Sequence, residues 1–294
     1  MSGSMWGGDR LDLDAYLARI GYEGEARPGL ATLRALHRGH VAAFPFENLD
    51  IVLGRPVRLD VGALQAKMVR QRRGGYCYEQ NLLFAAVLER LGFAFTGLGG
   101  RIRMGSSTAP RAITHMLLKV DLGVGGTEPG GGAACGPDGS GGTWLADVGF
   151  GGGGLLEPVP LRDGATRRQG EWTFGVAAEP RGVWALRTRR PEGWFDLYGF
   201  TLEERVPADY AVMHHYNATH PRSAFTGRPV VQRTEPSGRR ALAGGRLSVA
   251  RTGAPDVERA VPAGAFGAVL REEFGIEVSA EDAAELGKRY GSGA

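Results

Sequence analysis

The 294 residues include only two cysteines, Cys77 and Cys135. The two could bridge in principle, but Cys135 lies in Gly130-Gly131-Gly132-Ala133-Ala134-Cys135-Gly136-Pro137, a glycine loop, so reduced thiols in a reducing compartment are expected. No run approaches the roughly 18 consecutive apolar residues of a membrane span. No charged-then-apolar leader follows Met1-Ser2-Gly3-Ser4, and a cytoplasmic protein without a membrane partner is expected. Excess charge is also scarce: the net is +3, with a pI near 9.0. Arginines are scattered, as at Arg101/Arg103, Arg167/Arg168, Arg187 to Arg190 and Arg239/Arg240. They form no stripe interleaved with aromatics, which argues against nucleic acid as a partner. No internal repeat is evident. A hydrophobic content of 43% supplies a large core or two to three packed lobes.

The densest information lies in Arg73-Gly74-Gly75-Tyr76-Cys77-Tyr78-Glu79-Gln80-Asn81. Two glycines permit a tight turn, and Leu82 to Leu88 reads as a helix with Leu82, Ala85, Ala86 and Leu88 on an inward stripe. A cysteine in the first turn feels the positive end of the helix dipole and unpaired N–H groups, both of which favour thiolate over thiol. A buried structural cysteine is the alternative, and this stretch alone leaves both open.

Downstream, Ile113 to Asp121 alternates and then runs apolar like a half-buried strand, and Thr143 to Gly151 reads as a second short strand. A hairpin joining them brings His115 and Asp147 within reach of each other. A nucleophilic thiol needs a base in contact and an acid that fixes the imidazole tautomer. Cys77, His115 and Asp147 supply those three roles and are the candidate catalytic residues.

These residues and others resemble the arylamine N-acetyltransferases. The resemblance is carried by Pro45-Phe46-Glu47-Asn48-Leu49-Asp50, by Arg73 to Asn81, by Thr114-His115, and by Asp147-Val148-Gly149-Phe150. It continues through Tyr216, Thr219-His220-Pro221 and Ser223-Ala224-Phe225. It implies acetyl-CoA as acyl donor, arylamines, arylhydrazines or hydrazides as acceptors, and ping-pong transfer through acetyl-Cys77. It implies CoA contacts at Gly149, Gly151, Tyr216 and Ser223, with Arg222 standing where the family has threonine. Phe46, Thr114 and Phe150 are the candidate acceptor-binding residues, the two aromatics offering a flat surface for stacking. Core is the alternative reading for either ring, and for Phe46 the two readings are equal.

An α+β protein is expected. Residues 1–95 read as a helical bundle carrying Cys77. Helical segments run from Leu11 to Ile20, from Leu30 to Val41, from Val61 to Arg70, and from Cys77 to Gly92. Residues 96–210 read as antiparallel strands forming a β-barrel or curved sheet, with Val183 to Thr188 and Trp194 to Phe200 among them. Residues 211–294 mix extended pieces (Val230 to Arg233, Ala241 to Ala250) with helices (Ala263 to Phe274, Ala280 to Tyr290), and the resemblance makes them an α/β lid. Gly123 to Gly142 reads as a long flexible hairpin tip, longer than in relatives.

Glu47 and Arg73 are expected to form a buried scaffold pair under the Cys77 turn. His214, His215 and His220 lack a carboxylate or cysteine partner nearby, so no metal is expected. Papain-like peptidases and transglutaminases share the Cys-His-Asp order and are the rival reading.

Overall fold

The computed structural model describes residues 4–105, 111–123 and 141–292. Residues 124–140 of the glycine-rich connection, Cys135 among them, lie outside the described residues. Helix α1 (Leu13–Ile20) starts where the Asp12 carboxylate accepts the Ala15 N–H and stops at Gly21 in the left-handed region. Helix α2 (Leu30–Ala43) leads into a two-residue strand, β1 (Phe46–Glu47), and the short helix α3 (Leu49–Val52). Helix α4 (Val61–Leu64), capped by Asp60, continues as a π-helical turn over Gln65–Arg70. Helix α5 (Cys77–Arg90) begins at the cysteine itself.

The stripe expected on α5 is instead a complete sheath: every residue from Cys77 to Leu88 is buried. The helix runs through the main core, which includes Leu33, Leu36, Phe84, Met116, Leu118 and Trp144. A helix packed on all sides buries its polar residues too, so Glu79, Gln80 and Asn81 must each find partners inside the protein.

The strands β2 (Ala94–Ile102), β3 (His115–Leu122), β4 (Gly142–Ala146), β5 (Val159–Pro160), β6 (Thr166–Gln169), β7 (Trp172–Glu179), β8 (Val183–Arg190) and β9 (Gly193–Glu204) follow. They form one antiparallel sheet in the order β5-β4-β3-β2-β9-β8-β7-β6. The sheet curls like a barrel, but β5 and β6 share no ladder. The seam is stitched by a side chain: Gln169 Oε1 accepts the Leu156 and Glu157 N–H groups at 2.8 and 3.0 Å, and its Nε2 donates to the Glu157 carbonyl at 2.8 Å.

Helix α6 (Pro207–Thr219), for which the sequence reading made no prediction, crosses to the last part of the chain. There β10 (Val230–Glu235), β11 (Gly238–Ala243), β12 (Arg246–Arg251) and β13 (Val257–Ala260) form a meander. The extended piece expected from Ala241 to Ala250 is thus a hairpin broken at Gly244, which takes a φ of 59°. Helices α7 (Phe266–Phe274) and α8 (Ala280–Tyr290) cover this sheet around a second core of Leu242, Leu247, Phe266, Leu270 and Phe274. β1 joins the meander as its edge, pairing Phe46 with Gln232, so an early segment and the final sheet are one structure.

Among the described residues, no helix is long and apolar enough to cross a membrane.

Candidate active site

The turn before Cys77 is zipped onto the Pro45-Phe46-Glu47 segment. The Gly75 N–H donates to the Pro45 carbonyl at 3.3 Å, and the Glu47 N–H donates to the Gly75 carbonyl at 3.1 Å. A Cβ on Gly74 would lie 2.0 Å from the Pro45 oxygen, so only glycine lets the two backbones meet. Gln80, buried beneath, donates to the carbonyls of Pro45 and Gly75 at 3.0 and 3.1 Å. Its Oε1 accepts from His40 Nε2 at 2.8 Å, and Tyr16 donates to His40 Nδ1 at 2.9 Å. Burial holds His40 neutral, with a pKa of about 3.

The expected Glu47–Arg73 pair is present, at 2.9 Å from Arg73 Nε to Glu47 Oε1, but it is part of a larger cluster. Arg73 also reaches Asp50 at 3.2 Å, and Lys67 reaches Asp50 at 2.7 Å and Glu79 at 2.8 Å. Three carboxylates therefore face two cations in a buried pocket. Burial would raise the Asp50 carboxyl, yet the Lys67 and Arg73 charges outweigh it and bring it below the usual range. The deficit falls on Glu79. Burial, with Glu47 and Asp50 alongside, pushes its carboxyl up to about 7 despite the bonded Lys67. Glu79 Oε2 accepts the Tyr76 N–H at 3.1 Å, so the cluster grips the first turn of α5 directly.

His115 is the first residue of β3, and its Nε2 lies 2.7 Å from Asp147 Oδ2. The strand expected to run through Asp147 stops at Ala146, because the next backbone groups leave the ladder for other partners. The Asp147 N–H goes to His37 Nε2 at 3.3 Å, and the Val148 N–H goes to Asn81 Oδ1 at 3.2 Å. The Gly149 N–H returns to Asp147 Oδ1 at 3.0 Å. Asn81 Nδ2 bonds the same Oδ1 at 3.1 Å and the Met116 carbonyl at 2.8 Å, tying α5 to both strands. Burial alone would raise the Asp147 carboxyl, but His115, Asn81 and the Gly149 N–H together bring it below the ordinary range.

The Cys77 thiol is 2% exposed and lies 3.8 Å from the Thr114 carbonyl oxygen, one residue before His115. Since Nε2 of His115 is committed to Asp147, Nδ1 is the ring atom left for the thiol side. Here the structure departs from the sequence reading. Burial pushes the Cys77 thiol up and the Asp147 charge adds to it, while the N–H groups of Met116 and Tyr78 oppose them without prevailing. The helix N-terminus by itself does not make this sulfur a thiolate. Charge separation requires the proton to stay in the site, on the imidazole that Asp147 stabilises.

Cys77 and His115 open on a cavity of about 620 Å³. Phe46, Thr114, Gly149, Phe150, Tyr216 and Ser223 all line it, as do Asn217, Arg222 and Arg228. Phe150 stands edge-on to His115 with centroids 5.6 Å apart, and Phe46 is 5.9 Å from Phe225. Gly149 owes its identity to packing as well, since a Cβ there would lie 2.9 Å from Cys77 Cα. Gly151 does not line the large cavity itself; it sits against Phe46 and Gln232, which line both that cavity and an adjoining crevice. The Ser223 hydroxyl donates to the Asn217 carbonyl and accepts the Phe225 N–H at 3.1 Å, which ties it into its own turn. Asn217, which sequence reasoning missed, donates to the Thr114 carbonyl at 2.8 Å. Gln80, His37 and His40 were missed too, and each lies in a helix whose periodicity says nothing of polar partners.

Among the described residues, no group of three His, Cys, Asp or Glu could hold a metal ion. His214 is engaged by Tyr76 and by the Val57 carbonyl, and His220 stacks on Tyr216 at 4.5 Å.

A helical N-terminal region, a curled antiparallel sheet and a Cys-His-Asp constellation at their junction define the class of protein. A sequence profile described as N-acetyltransferase matches residues 29–283. Arylamine N-acetyltransferase from Mycolicibacterium smegmatis is 39% identical over 282 residues, covering 91% of this chain and 93% of the relative. The solved arylamine N-acetyltransferase of Mycobacterium abscessus superposes with a TM-score of 0.87 at 38% identity, covering 99% of this chain and 98% of the other. That of Mycobacterium marinum, solved in complex with CoA, gives 0.82 at 32% identity, covering 95% and 99%. The chain belongs to the arylamine N-acetyltransferase family.

Proposed function

We propose that this protein moves an acetyl group from acetyl-CoA to an arylamine, arylhydrazine or hydrazide by ping-pong transfer through acetyl-Cys77. The observation that carries the reading is the shared cavity: sulfur and imidazole line one wall, with Asp147 bonded behind the imidazole. Proton transfer from Cys77 to Nδ1 of His115 accompanies attack of sulfur on the thioester carbonyl. The N–H groups at the start of α5, of Cys77 or Tyr78, are our candidates to receive the developing oxyanion. The C–S bond to CoA breaks, the CoA thiolate takes up the proton from His115, and acetyl-Cys77 remains. In the second half the amine nitrogen bonds to the acetyl carbon, His115 accepts the amine proton, and the acetyl–Sγ bond breaks to release the amide and return Cys77 as thiolate beside the protonated His115.

Phe46 and Phe150 offer the acceptor two aromatic walls, and Thr114 supplies backbone beside the sulfur. Gly149, Tyr216 and Ser223 border the same cavity and are assigned to the CoA side, where Arg222 and Arg228 add positive charge suited to phosphate. Gly151 is assigned a supporting part there, packing under Phe46.

The test is mass spectrometry of the protein with acetyl-CoA alone. An adduct of about 42 daltons is expected on the Cys77 peptide, lost on adding an arylamine and absent from Cys77→Ser. Peptide cleavage without an adduct would favour the peptidase-like reading instead.

A further inference from the structure

Helix α2 places His37 behind the carboxylate that orients the base. The ring is fully buried, edge-on to Phe84 with centroids 5.9 Å apart. Its Nε2 accepts the Asp147 N–H at 3.3 Å, and its Nδ1 is 3.1 Å from the Leu156 carbonyl oxygen. A backbone amide can only donate, so Nε2 is the bare nitrogen and Nδ1–H is the donor to Leu156. One neutral side chain thus ties both ends of the segment from Asp147 to Leu156, which carries Gly149, Phe150 and Gly152 along the cavity wall.

The position of this staple gives it a function. β4 ends at Ala146, so no ladder bond holds the Asp147 N–H, and His37 stands where a strand partner would. The carboxylate must meet His115 through one oxygen while Asn81 and the Gly149 N–H hold the other. All three bonds depend on where the Asp147 backbone sets its Cβ.

We propose that His37 is a positioning residue of the reaction, fixing the Asp147 backbone so that its carboxylate orients and charges His115. The inference rests on the triad reading above and extends it to a residue that touches neither substrate. An apolar residue would fill the space, but it would leave a buried N–H and a buried carbonyl unpaired.

The test compares His37→Gln, His37→Asn and His37→Leu. A glutamine carbonyl reaches the Nε2 position and keeps an acceptor for Asp147, an asparagine amide reaches the Nδ1 position and keeps a donor for Leu156, and leucine keeps neither. The first readout is the rate at which iodoacetamide alkylates the Cys77 peptide at pH 7, which needs no acyl donor. The second is kcat and KM for acetyl transfer. The leucine variant is expected to lose roughly tenfold or more in alkylation rate and kcat with KM little changed, and the glutamine variant to recover most of the loss. Wild-type rates in the leucine variant would overturn the proposal, as would equal losses in leucine and glutamine. If the leucine variant does not fold, glutamine must still outpace asparagine, and parity or the reverse order rejects the assignment. If no acetyl transfer occurs but the alkylation ranking holds, His37 keeps its role and the acetyl-CoA reading falls.

Discussion

Asp147 holds Nε2 of His115 at 2.7 Å, which in the reaction proposed above leaves Nδ1 to serve the cysteine. With Nε2 engaged, the proposed proton transfer from Cys77 would go to Nδ1, and the resulting imidazolium would be paired with a buried carboxylate. The thiol alone, pushed up by burial and by the Asp147 charge, would stay protonated at neutral pH.

The pH dependence of alkylation follows from that pairing. In the wild-type protein, alkylation of Cys77 by iodoacetamide is expected to reach half its plateau below pH 8, since the imidazole keeps the proton. In His115→Gln nothing takes the proton and only the burial-raised thiol remains, so the half-point should move above pH 8. Overlapping profiles for the two proteins would show that His115 does not ionise the sulfur.

Arg73→Met removes one of two cations from a buried cluster that holds three carboxylates. Among the described residues Glu47 then keeps Lys67, at 3.8 Å, as its remaining cation, beside the Leu49 N–H at 2.8 Å. A loss of about 3–5 kcal/mol in chemical denaturation is expected, because an uncompensated buried charge is left behind. Arg73→Lys should fall between, since an ammonium lacks the fork that spans Glu47 and Asp50. A loss below about 1 kcal/mol for the methionine variant, the size of an exposed pair, would show that the cluster is not a scaffold.

Stability should also depend on the buried histidines. His37 titrates at about 4 and His40 at about 3 in the folded protein, because burial disfavours the charged ring. In the unfolded chain both return to about 6.5. Between those values the unfolded state binds protons that the native state refuses, so stability falls as pH drops from about 6.5 towards 4, by an order of a few kcal/mol per ring. Glu79 works in the opposite sense. Its native carboxyl titrates near 7, so the native state holds a proton that the unfolded chain releases, and stability falls as pH rises through that window. Melting temperatures measured from pH 4 to 7 should therefore fall less steeply on the acid side in His37→Leu than in wild type. An unchanged slope would assign the acid loss to other groups.

Much of this was legible from residues. The helices from Leu30, from Cys77 and from Ala280 show in their apolar spacing, and the β8–β9 pair shows in its aromatic runs. The Glu47–Arg73 pair was legible as opposite charges within the two blocks, Pro45 to Asp50 and Arg73 to Asn81, that carry the family resemblance. Helix α6 was not, because its buried positions are few and its histidines read as a polar segment. The full encasement of α5 was also hidden, since Glu79, Gln80 and Asn81 look like a solvated first turn until their partners are known.

The sequence by itself determined which chemistry is present: one thiol at a glycine turn, and one imidazole and one carboxylate within two apolar strand-like runs. Those are properties of local chain geometry and residue type, which neighbours in sequence largely dictate. Only the tertiary structure decided how they are held. Gln80 and His40 lock the turn, Asn81 and His37 fix the acid, and burial raises the sulfur that the helix end alone would lower. Each of these depends on groups brought together from distant parts of the chain, and the energies of burial and hydrogen bonding exist only once that packing is complete.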